Sequence, residues 1–262
     1  MMMVGEIVGM NNTKNYVGLV GYNNFGSKMT IVECNNTSNM SVRFDDGYIK
    51  KGVRKWCFDK GKVYSPYEKK VYKVGFLGEG AYGYKDKNRK IYKQWQSMLQ
   101  RGYDEKLKGK YQTYKDVFVC DEWHNFQNFA KWYEDNYYEV DGDSISLDKD
   151  ILVKGNKIYS PDTAIFVPSK INNLFTRSDK IRGKYPIGVT RDGNKYIAMI
   201  SITKNKIKNR CIIGKYDTPT EAFNSYKEQK ESLIKEVADG YKEKIPQKLY
   251  DAMYSYEVDI TD

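Results

Sequence analysis

The sequence is poor in the residues on which several classes of protein depend. Its four cysteines stand far apart along 262 residues, and they form no Cys-x-x-Cys pair and no cluster with the single histidine. This spacing argues against a structural zinc site and against a disulfide framework. No segment approaches the roughly twenty apolar residues of a membrane span, and Glu6 interrupts the apolar N-terminal run too early for a secretory signal. These absences favour a protein of a reducing cytoplasm, with no membrane partner.

Aromatic residues are abundant. They make up 15% of the chain, within a hydrophobic content of 40%, and this is enough to build packed cores. Tyrosine dominates, with 24 residues. We expect most tyrosines to pack in cores and at their rims, and the others to be available for stacking on nucleic acid.

Charge is distributed unevenly. The chain has a net charge of +10, and residues 182–216 carry nine Lys or Arg against one acid, Asp192. A β-sheet this basic predicts a polyanionic partner, of which the phosphate backbone of nucleic acid is the usual one. Residues 121–181, in contrast, carry eleven acids against seven bases. Such carboxylates can hold a divalent cation against a phosphate, and no small-molecule cofactor is expected.

Residues 1–63 alternate short β-like runs with turns rich in Asn, Asp and Gly. The runs are residues 4–8, 16–20, 29–33 and 40–44, and their close spacing predicts a small antiparallel sheet or barrel. We interpret the segment as an interaction or accessory module. Four of its basic residues could touch backbone phosphates: Lys50, Lys51, Arg54 and Lys55.

Two helices are predicted, one containing residues 91–99 and one containing residues 123–133. Ile91, Trp95 and Leu99 fall at helical spacing, as do Phe126 and Ala130 further along. Both stripes are typical of core packing. The glycine-rich segment before them, residues 75–83, lacks the Gly-Lys-Ser/Thr ending of a phosphate-binding loop, so it is interpreted as a turn or flexible link.

Residues 144–174 have the order of a ββα unit. A strand ends in Asp148, a polar turn follows, residues 164–167 form a second short strand, and Pro168 and Ser169 begin a helix. In such a unit, a carboxylate at the end of a strand and an amide oxygen on the helix can hold one hard cation. The cation can then polarise a phosphodiester and neutralise its leaving oxygen.

This segment resembles the HNH (His-Me finger) endonucleases, in particular the homing nickases of phages of Gram-positive bacteria. Leu147-Asp148-Lys149 stands where the family has Asp-His, residues 162–167 stand where it has its middle Asn-containing strand, and residues 169–172 (Ser-Lys-Ile-Asn) match its last element. The resemblance implies that Asp148 and Asn172 are ligands of Mg²⁺ or Mn²⁺. Asp150 is implied as a further or auxiliary ligand, and Asp162 as auxiliary.

Lys149 departs from the family pattern. The family has a water-activating His at this position, whereas the ordinary pKa of a lysine is about 10.4, which leaves it protonated at neutral pH. Three outcomes stay open: Lys149 is a catalytic base with a lowered pKa, a metal-bound hydroxide attacks without a protein base, or the finger does not cut. The predicted catalytic residues are Asp148, Lys149 and Asn172.

Residues 185–237 resemble the ethylene-response-factor (Apetala-type) DNA-binding domain, which also occurs fused to phage HNH endonucleases. The matching features are Gly188-Val189, residues 195–198 (Lys-Tyr-Ile-Ala), residues 214–216 (Gly-Lys-Tyr) and the helix opening at residues 218–223. The resemblance implies a three-stranded sheet in the major groove, backed by one helix. Two patterns agree independently: alternate residues from Tyr196 favour one buried face, and Thr218 with Glu221 forms a capping box.

Most of the family's base-contacting positions hold different residues in this chain. They fall on Thr190, Met199, Ser201 and Ile212, and only Arg210 is retained in kind. The residues predicted to contact DNA are Lys184, Arg191, Lys195, Ser201, Lys204, Lys206, Lys208 and Arg210.

The sequence therefore predicts an α+β protein. Its parts are a small antiparallel β module (1–63), a ββα-metal-like central domain with flanking helices (64–181), a three-stranded sheet backed by one helix (182–245) and an acidic tail (246–262). The leading hypothesis is a metal-dependent nickase of double-stranded DNA, acting in a bacterial host cytoplasm. The alternatives are a non-catalytic DNA-binding regulator or phage counter-defence protein, and an RNA-binding protein.

Overall fold

The computed structural model describes residues 16–175, 184–204 and 207–260, with the side chains of residues 203–208 excepted. The chain is α+β, as predicted, and clusters into two compact units. The first comprises Met1–Asp104 with Trp123–Phe129, and the second Glu105–Glu122 with Ala130–Asp262. Over the residues just given, none of the helices has the length and apolar character of a membrane span. The predicted boundaries at residues 63, 181 and 245 stay predictions.

The first unit opens with a four-stranded antiparallel sheet. Its strands follow the chain order: β1 (Val20–Tyr22), β2 (Lys28–Asn36), β3 (Asn39–Phe44) and β4 (Ile49–Val53). One turn of helix follows, α1 (Lys55–Asp59). Alternate residues of the central strands and Phe58 of α1 form an apolar core, which confirms the predicted β module. The predicted run at residues 4–8 lies outside the described residues, and that at 16–20 becomes a strand only from Val20 onward.

The predicted core helices are present as α2 (Arg89–Tyr103) and α4 (Phe126–Asn136), and the division between the units falls within α4. Between them lie α3 (Glu105–Lys110) and two short 3-10 helices, Gln112–Tyr114 and Asp121–His124. A further 3-10 helix, Asp86–Asn88, directly precedes α2. The glycine-rich segment is a packed turn. A Cβ on Gly75 would lie 2.4 Å from Leu99 Cδ1, so glycine is required there by close approach to α2.

The second unit contains the ββα arrangement in the predicted order. The strand β6 (Ile145–Asp148) runs antiparallel to β8 (Ile165–Pro168), and α5 (Ser169–Phe175) begins directly after β8. A short parallel pair, β5 (Phe118–Val119) and β7 (Ile158–Tyr159), lies in the same unit. The predicted strand end at Asp148 and helix start at Ser169 are both confirmed.

The C-terminal sheet is formed by β9 (Val189–Asp192), β10 (Lys195–Lys204) and β11 (Ile207–Tyr216), with β10 in the middle and all pairs antiparallel. The helix α6 (Pro219–Tyr241) packs on one face of this sheet. Its N-terminus has the predicted capping box, because the Glu221 amide donates to Thr218 Oγ1 at 3.2 Å and the Thr218 amide donates to Glu221 Oε2 at 3.0 Å. Gly188, with φ +76°, sits where a Cβ would lie 2.1 Å from the Tyr226 ring.

The second half of α6 belongs to a different core. Ile234 and Ala238 pack with Val167 of β8 and Ile171 of α5, and with the helix α7 (Gln247–Tyr254). The segment predicted only as an acidic tail thus contributes a helix with buried apolar residues. One apolar core joins the ββα unit, α6 and α7.

This shared core predicts a large effect of Ile234→Ala. Because Ile234 is fully buried, we expect its truncation to lower the free energy of unfolding by about 2–5 kcal/mol, through lost apolar contact and the cavity left behind. Urea titration followed by circular dichroism measures this. The neighbouring exposed variant Glu236→Ala is the control, with an expected change within about 0.5 kcal/mol. Equal stability of the two variants would contradict the shared core.

Candidate nucleic-acid interface and acidic turn

The face of the C-terminal sheet turned away from α6, called here the outer face, gathers the positions singled out in the sequence. Thr190 lies opposite Ile197, Met199 opposite Ile212, and Ser201 opposite Arg210. Directly opposite residues of an antiparallel pair share one face of the sheet. Thr190, Ser201, Arg210 and Ile212 are exposed, Ile212 by 64%. Ile197 is buried and Met199 half-buried, so the accessible part of the outer face is formed by the four exposed residues, which provide apolar, hydroxyl and guanidinium groups.

A bulge in β11 sets this arrangement. Ala198 pairs with Gly214 but Met199 pairs with Ile212, so β11 has one extra residue, Ile213. Ile213 packs toward α6, and the strand beyond it is shifted by one residue. A bulge changes the face on which the following side chains lie. Without it, Ile212 and Arg210 would lie on the α6 side of the sheet.

Two lysines at one end of the sheet are ion-paired. Lys195 Nζ lies 2.5 Å from Asp217 Oδ1, and Lys215 Nζ lies 2.8 Å from Asp192 Oδ2. All four side chains are at least half exposed, so water screens both pairs and each contributes at most about 1 kcal/mol. A phosphate can therefore replace either acid at small cost.

Of the other predicted DNA contacts, Arg191 and Lys184 have described side chains. Arg191 stands opposite Tyr196, on the α6 side of the sheet, and its Nε donates to the Gly193 carbonyl at 2.9 Å. Lys184 is exposed, with its ammonium 5.7 Å from the Tyr185 ring centre. Lys204 and Lys208 are strand residues, but their side chains, like the whole of Lys206, lie outside the described residues.

The acidic turn, residues 148–151, begins at the end of β6. Asp148 Oδ1 accepts hydrogen bonds from the amides of Asp150, at 2.9 Å, and Ile151, at 2.8 Å. These bonds fix the direction of the carboxylate. Burial raises the pKa of Asp148, the negative charge of Asp150 raises it further, and the two amide bonds oppose part of the shift. The folded protein thus disfavours the charged form of the Asp148 carboxyl.

Lys149 closes the loop that follows the acidic turn. Its side chain is buried, and Nζ donates to the Asn156 carbonyl at 3.1 Å and lies 3.2 Å from Asp150 Oδ2. Asn156 Nδ2 in turn donates to the carbonyls of Lys149, at 2.6 Å, and Ile158, at 2.7 Å. The two residues thereby clamp the loop from both sides. This geometry supports a structural role for Lys149, while its role as a base stays a prediction.

Asn156 was not among the predicted site residues. The available signal was the Gly155-Asn156 pair in a polar loop between two strands, because Asn side chains commonly hydrogen-bond the backbone of turns. Such a pair predicts a turn but not its long-range partner. That partner is seven residues away and depends on how the loop closes.

The donor atoms of the predicted metal ligands can be compared with those that Mg²⁺ and Mn²⁺ prefer. Asn172 lies in α5, which packs against β6 and β8, and Asp162 is exposed. Asp148 and Asp150 carboxylates with an amide oxygen are hard donors of the kind that Mg²⁺ and Mn²⁺ accept. No group of three or more His, Cys, Asp or Glu is placed to hold a metal within the described part of the chain. The donor types thus suit a hard cation, and a site formed by Asp148, Asp150 and Asn172 stays a prediction.

Comparisons of the chain with protein-family models, curated proteins and solved structures gave no match. The two family resemblances therefore stay predictions carried by the residues quoted for them.

The raised pKa of Asp148 predicts opposite effects of two substitutions. Asp148→Asn keeps the oxygen that accepts the two amide bonds but removes the charge beside Asp150, so we expect it to be more stable than the wild type at pH 7–8. The folded wild type holds this proton more tightly than the unfolded chain. Its stability therefore falls as pH rises from the ordinary aspartate pKa of about 3.9 through the raised value, and the advantage of Asp148→Asn appears over that window.

Asp148→Ala loses both acceptor contacts and should cost about 1–3 kcal/mol. Urea unfolding in EDTA between pH 4 and 8 measures both variants, with the exposed Asp162→Asn as control. An Asp148→Asn protein less stable than wild type at pH 8 would contradict the charge argument.

Proposed function

We propose that the protein binds double-stranded DNA through the outer face of β9–β11. The observation that carries this proposal is the direct pairing of Ser201 with Arg210 on an exposed face whose opposite side is covered by α6. The major groove admits β-strands, in which an arginine can donate two hydrogen bonds to guanine and a hydroxyl can bond several base edges. The adjacent pair of Met199 and Ile212 suits contact with thymine methyl groups.

Basic residues around the outer face would hold the phosphate backbone. Lys195 and Lys215 flank one end of the sheet, and Lys184 is exposed before β9. Contacts of this type position a protein on DNA without recognising sequence. Neutralising six to eight phosphates gives an expected log–log slope of affinity against salt of about −5 to −7.

Cleavage of one DNA strand is the second candidate function, and the acidic turn is the observation that favours it. Asp148, Asp150 and Asn172 would hold Mg²⁺ or Mn²⁺, which would polarise the phosphodiester and stabilise the leaving oxygen. The chain's own part is to present the carboxylates. The amides of the turn orient Asp148, and Lys149 draws Asp150 toward the loop.

Lys149 distinguishes the open mechanisms. Its ammonium is already a donor to Asn156 and a partner of Asp150, so the geometry supports attack by a water that is not deprotonated by Lys149. The same engagement supports the alternative of a non-catalytic DNA-binding regulator or counter-defence protein. In either case we propose the cytoplasm of a bacterial host as the setting.

Arg210→Ala tests the interface. We expect weaker binding to a duplex of mixed sequence, by roughly 1–3 kcal/mol if Arg210 contacts a base. If it contacts a phosphate instead, the salt slope should shrink by about one. Fluorescence anisotropy over a salt series separates the two results, because a base contact leaves the slope unchanged. Lys235→Ala, on the exposed side of α6, is the charge-matched control, and an Arg210→Ala protein that binds like this control would contradict the proposal.

Nicking of supercoiled plasmid in Mg²⁺ or Mn²⁺ tests cleavage. We expect open circles with the wild type and none with Asp148→Ala or Asp148→Asn, because neither variant offers the charged ligand. As a readout independent of activity, Mg²⁺ should raise the melting temperature of the wild type but not that of Asp148→Asn. DNA that is shifted but never cut supports the non-catalytic alternative, and stronger competition by single-stranded RNA than by duplex DNA supports RNA binding.

A further inference from the structure

The first unit exposes a tryptophan beside a basic hollow. Trp56 of α1 is 52% exposed, whereas Trp95 and Trp123 are fully buried. It borders an open hollow of about 320 Å³ between β4, α1 and the segment that follows α1. We propose that this hollow binds an unpaired nucleotide of single-stranded DNA or RNA, with the base stacked on the Trp56 indole and the flanking phosphates held by nearby cations.

The fold presents the indole on a fixed support. Phe58, two residues along the same helical turn, is buried in the core of the sheet, and so are Val53 and Val63, which line the hollow. Anchoring from both sides leaves α1 little freedom to move. A platform that is already ordered binds a base without an added entropic cost of ordering the site.

The charges around the hollow are of one sign. Lys50, Arg54 and Lys62 line it, and among the residues that the structure describes no acidic side chain does. The nearest acid along α1, Asp59, is 2.5 Å from Lys55 Nζ, and neither of these two residues lines the hollow. Lys62 Nζ lies 5.6 Å from the centre of the Trp56 ring, within range of a cation–π contact. A phosphate bound to Lys62 would therefore lie next to a base stacked on Trp56.

An exposed indole together with surrounding cations favours one class of ligand, an unpaired nucleotide. Cations alone would attract any polyanion, including an acidic peptide, but they would not require an exposed indole. A base in an intact duplex hides both of its faces in the stack, so it cannot lie on a tryptophan. An unpaired nucleotide uses both parts of the site, and aromatic platforms bordered by basic residues are the usual means of binding single strands.

This inference goes beyond duplex binding by the outer face and does not depend on it. The hollow lies in the first compact unit and the outer face in the second. Different variants therefore test the two sites. Arg210→Ala leaves the hollow intact, and substitutions in the hollow leave β9–β11 intact.

Tryptophan fluorescence of the full chain tests the proposal. We expect oligo(dT) or oligo(rU) to quench the emission, because a base stacked on the exposed Trp56 indole quenches it; any quenching of the half-buried Trp132 remains in Trp56→Ala and is subtracted. Trp56→Ala should abolish this part of the quenching and weaken oligonucleotide binding roughly ten-fold, the usual effect of losing one stacked base. Trp56→Phe should lose the signal but bind within a few-fold of the wild type, since it keeps an aromatic face. The relative quenching by oligo(dT) and oligo(rU) identifies which strand type is preferred.

Two further variants and their controls complete the test. Lys62→Ala and Arg54→Ala should each reduce the log–log salt slope of oligo(dT) binding by about 0.7, the value for a single-strand phosphate contact. Tyr22→Ala and Lys28→Ala, exposed residues of the same sheet that do not line the hollow, should leave both quenching and slope unchanged.

Three results would overturn the proposal. The first is oligonucleotide binding by Trp56→Ala that equals that of the wild type. The second is equal quenching by blunt duplex DNA, which offers no unpaired base. The third is equal or stronger quenching by poly-glutamate at matched charge, which would identify an acidic peptide as the ligand. Circular dichroism of each variant confirms that its sheet is intact, and because Trp56, Arg54 and Lys62 are exposed, unfolding is not expected.

Discussion

The second compact unit depends on one apolar contact surface, the buried side of α6. The first turns of this helix pack on the sheet through Ala222, Phe223 and Tyr226, and its later turns pack on β8, α5 and α7 through Ile234 and Ala238. Phe223 and Ile234 are about 16 Å apart along the axis at about 1.5 Å per residue. A single helix therefore supports both the outer face and the acidic turn. Their separation is set by side-chain packing, which is dense and resists deformation, and not by a flexible linker.

The segment after α6 reinforces this arrangement. Tyr250 and Tyr254 of α7 both donate to the Asp239 carboxylate of α6, at 2.8 Å. Beyond α7, the Val258 amide donates to Glu231 Oε1 at 2.8 Å, and the Glu257 carbonyl accepts from Lys154, in the loop after the acidic turn, at 2.8 Å. Tyr250 and Tyr254, whose role was not evident from the sequence, thus donate hydrogen bonds to a carboxylate of α6. The segment ties α6 to the loop of the ββα unit.

Local signals predicted the elements well, and pairing between distant elements explains what they missed. The strand end at Asp148, the helix start at Ser169 and the capping box at Thr218 depend on neighbouring residues, and each was found where expected. The bulge at Ile213 could not be predicted, because an extra residue in a strand is defined only against its partner strand. For the same reason, the sequence could not show that Arg191 lies on the α6 side of the sheet, because this follows from its pairing with Tyr196 on the neighbouring strand. The clamp between Lys149 and Asn156 depends on loop closure, so the sequence showed a candidate base where the structure shows a buried, hydrogen-bonded lysine.

The ion pairs of the C-terminal sheet change how its charge contributes to binding. Counted from the sequence, residues 182–216 have a surplus of eight positive charges, but Lys195 and Lys215 already have acidic partners. In a DNA complex these lysines would exchange a carboxylate for a phosphate, and the released Asp192 and Asp217 would then repel the backbone. The net electrostatic gain is smaller than the count implies. Discrimination between sequences would therefore depend more on the uncharged residues of the outer face and on Arg210, whose register with Ser201 is set by the bulge.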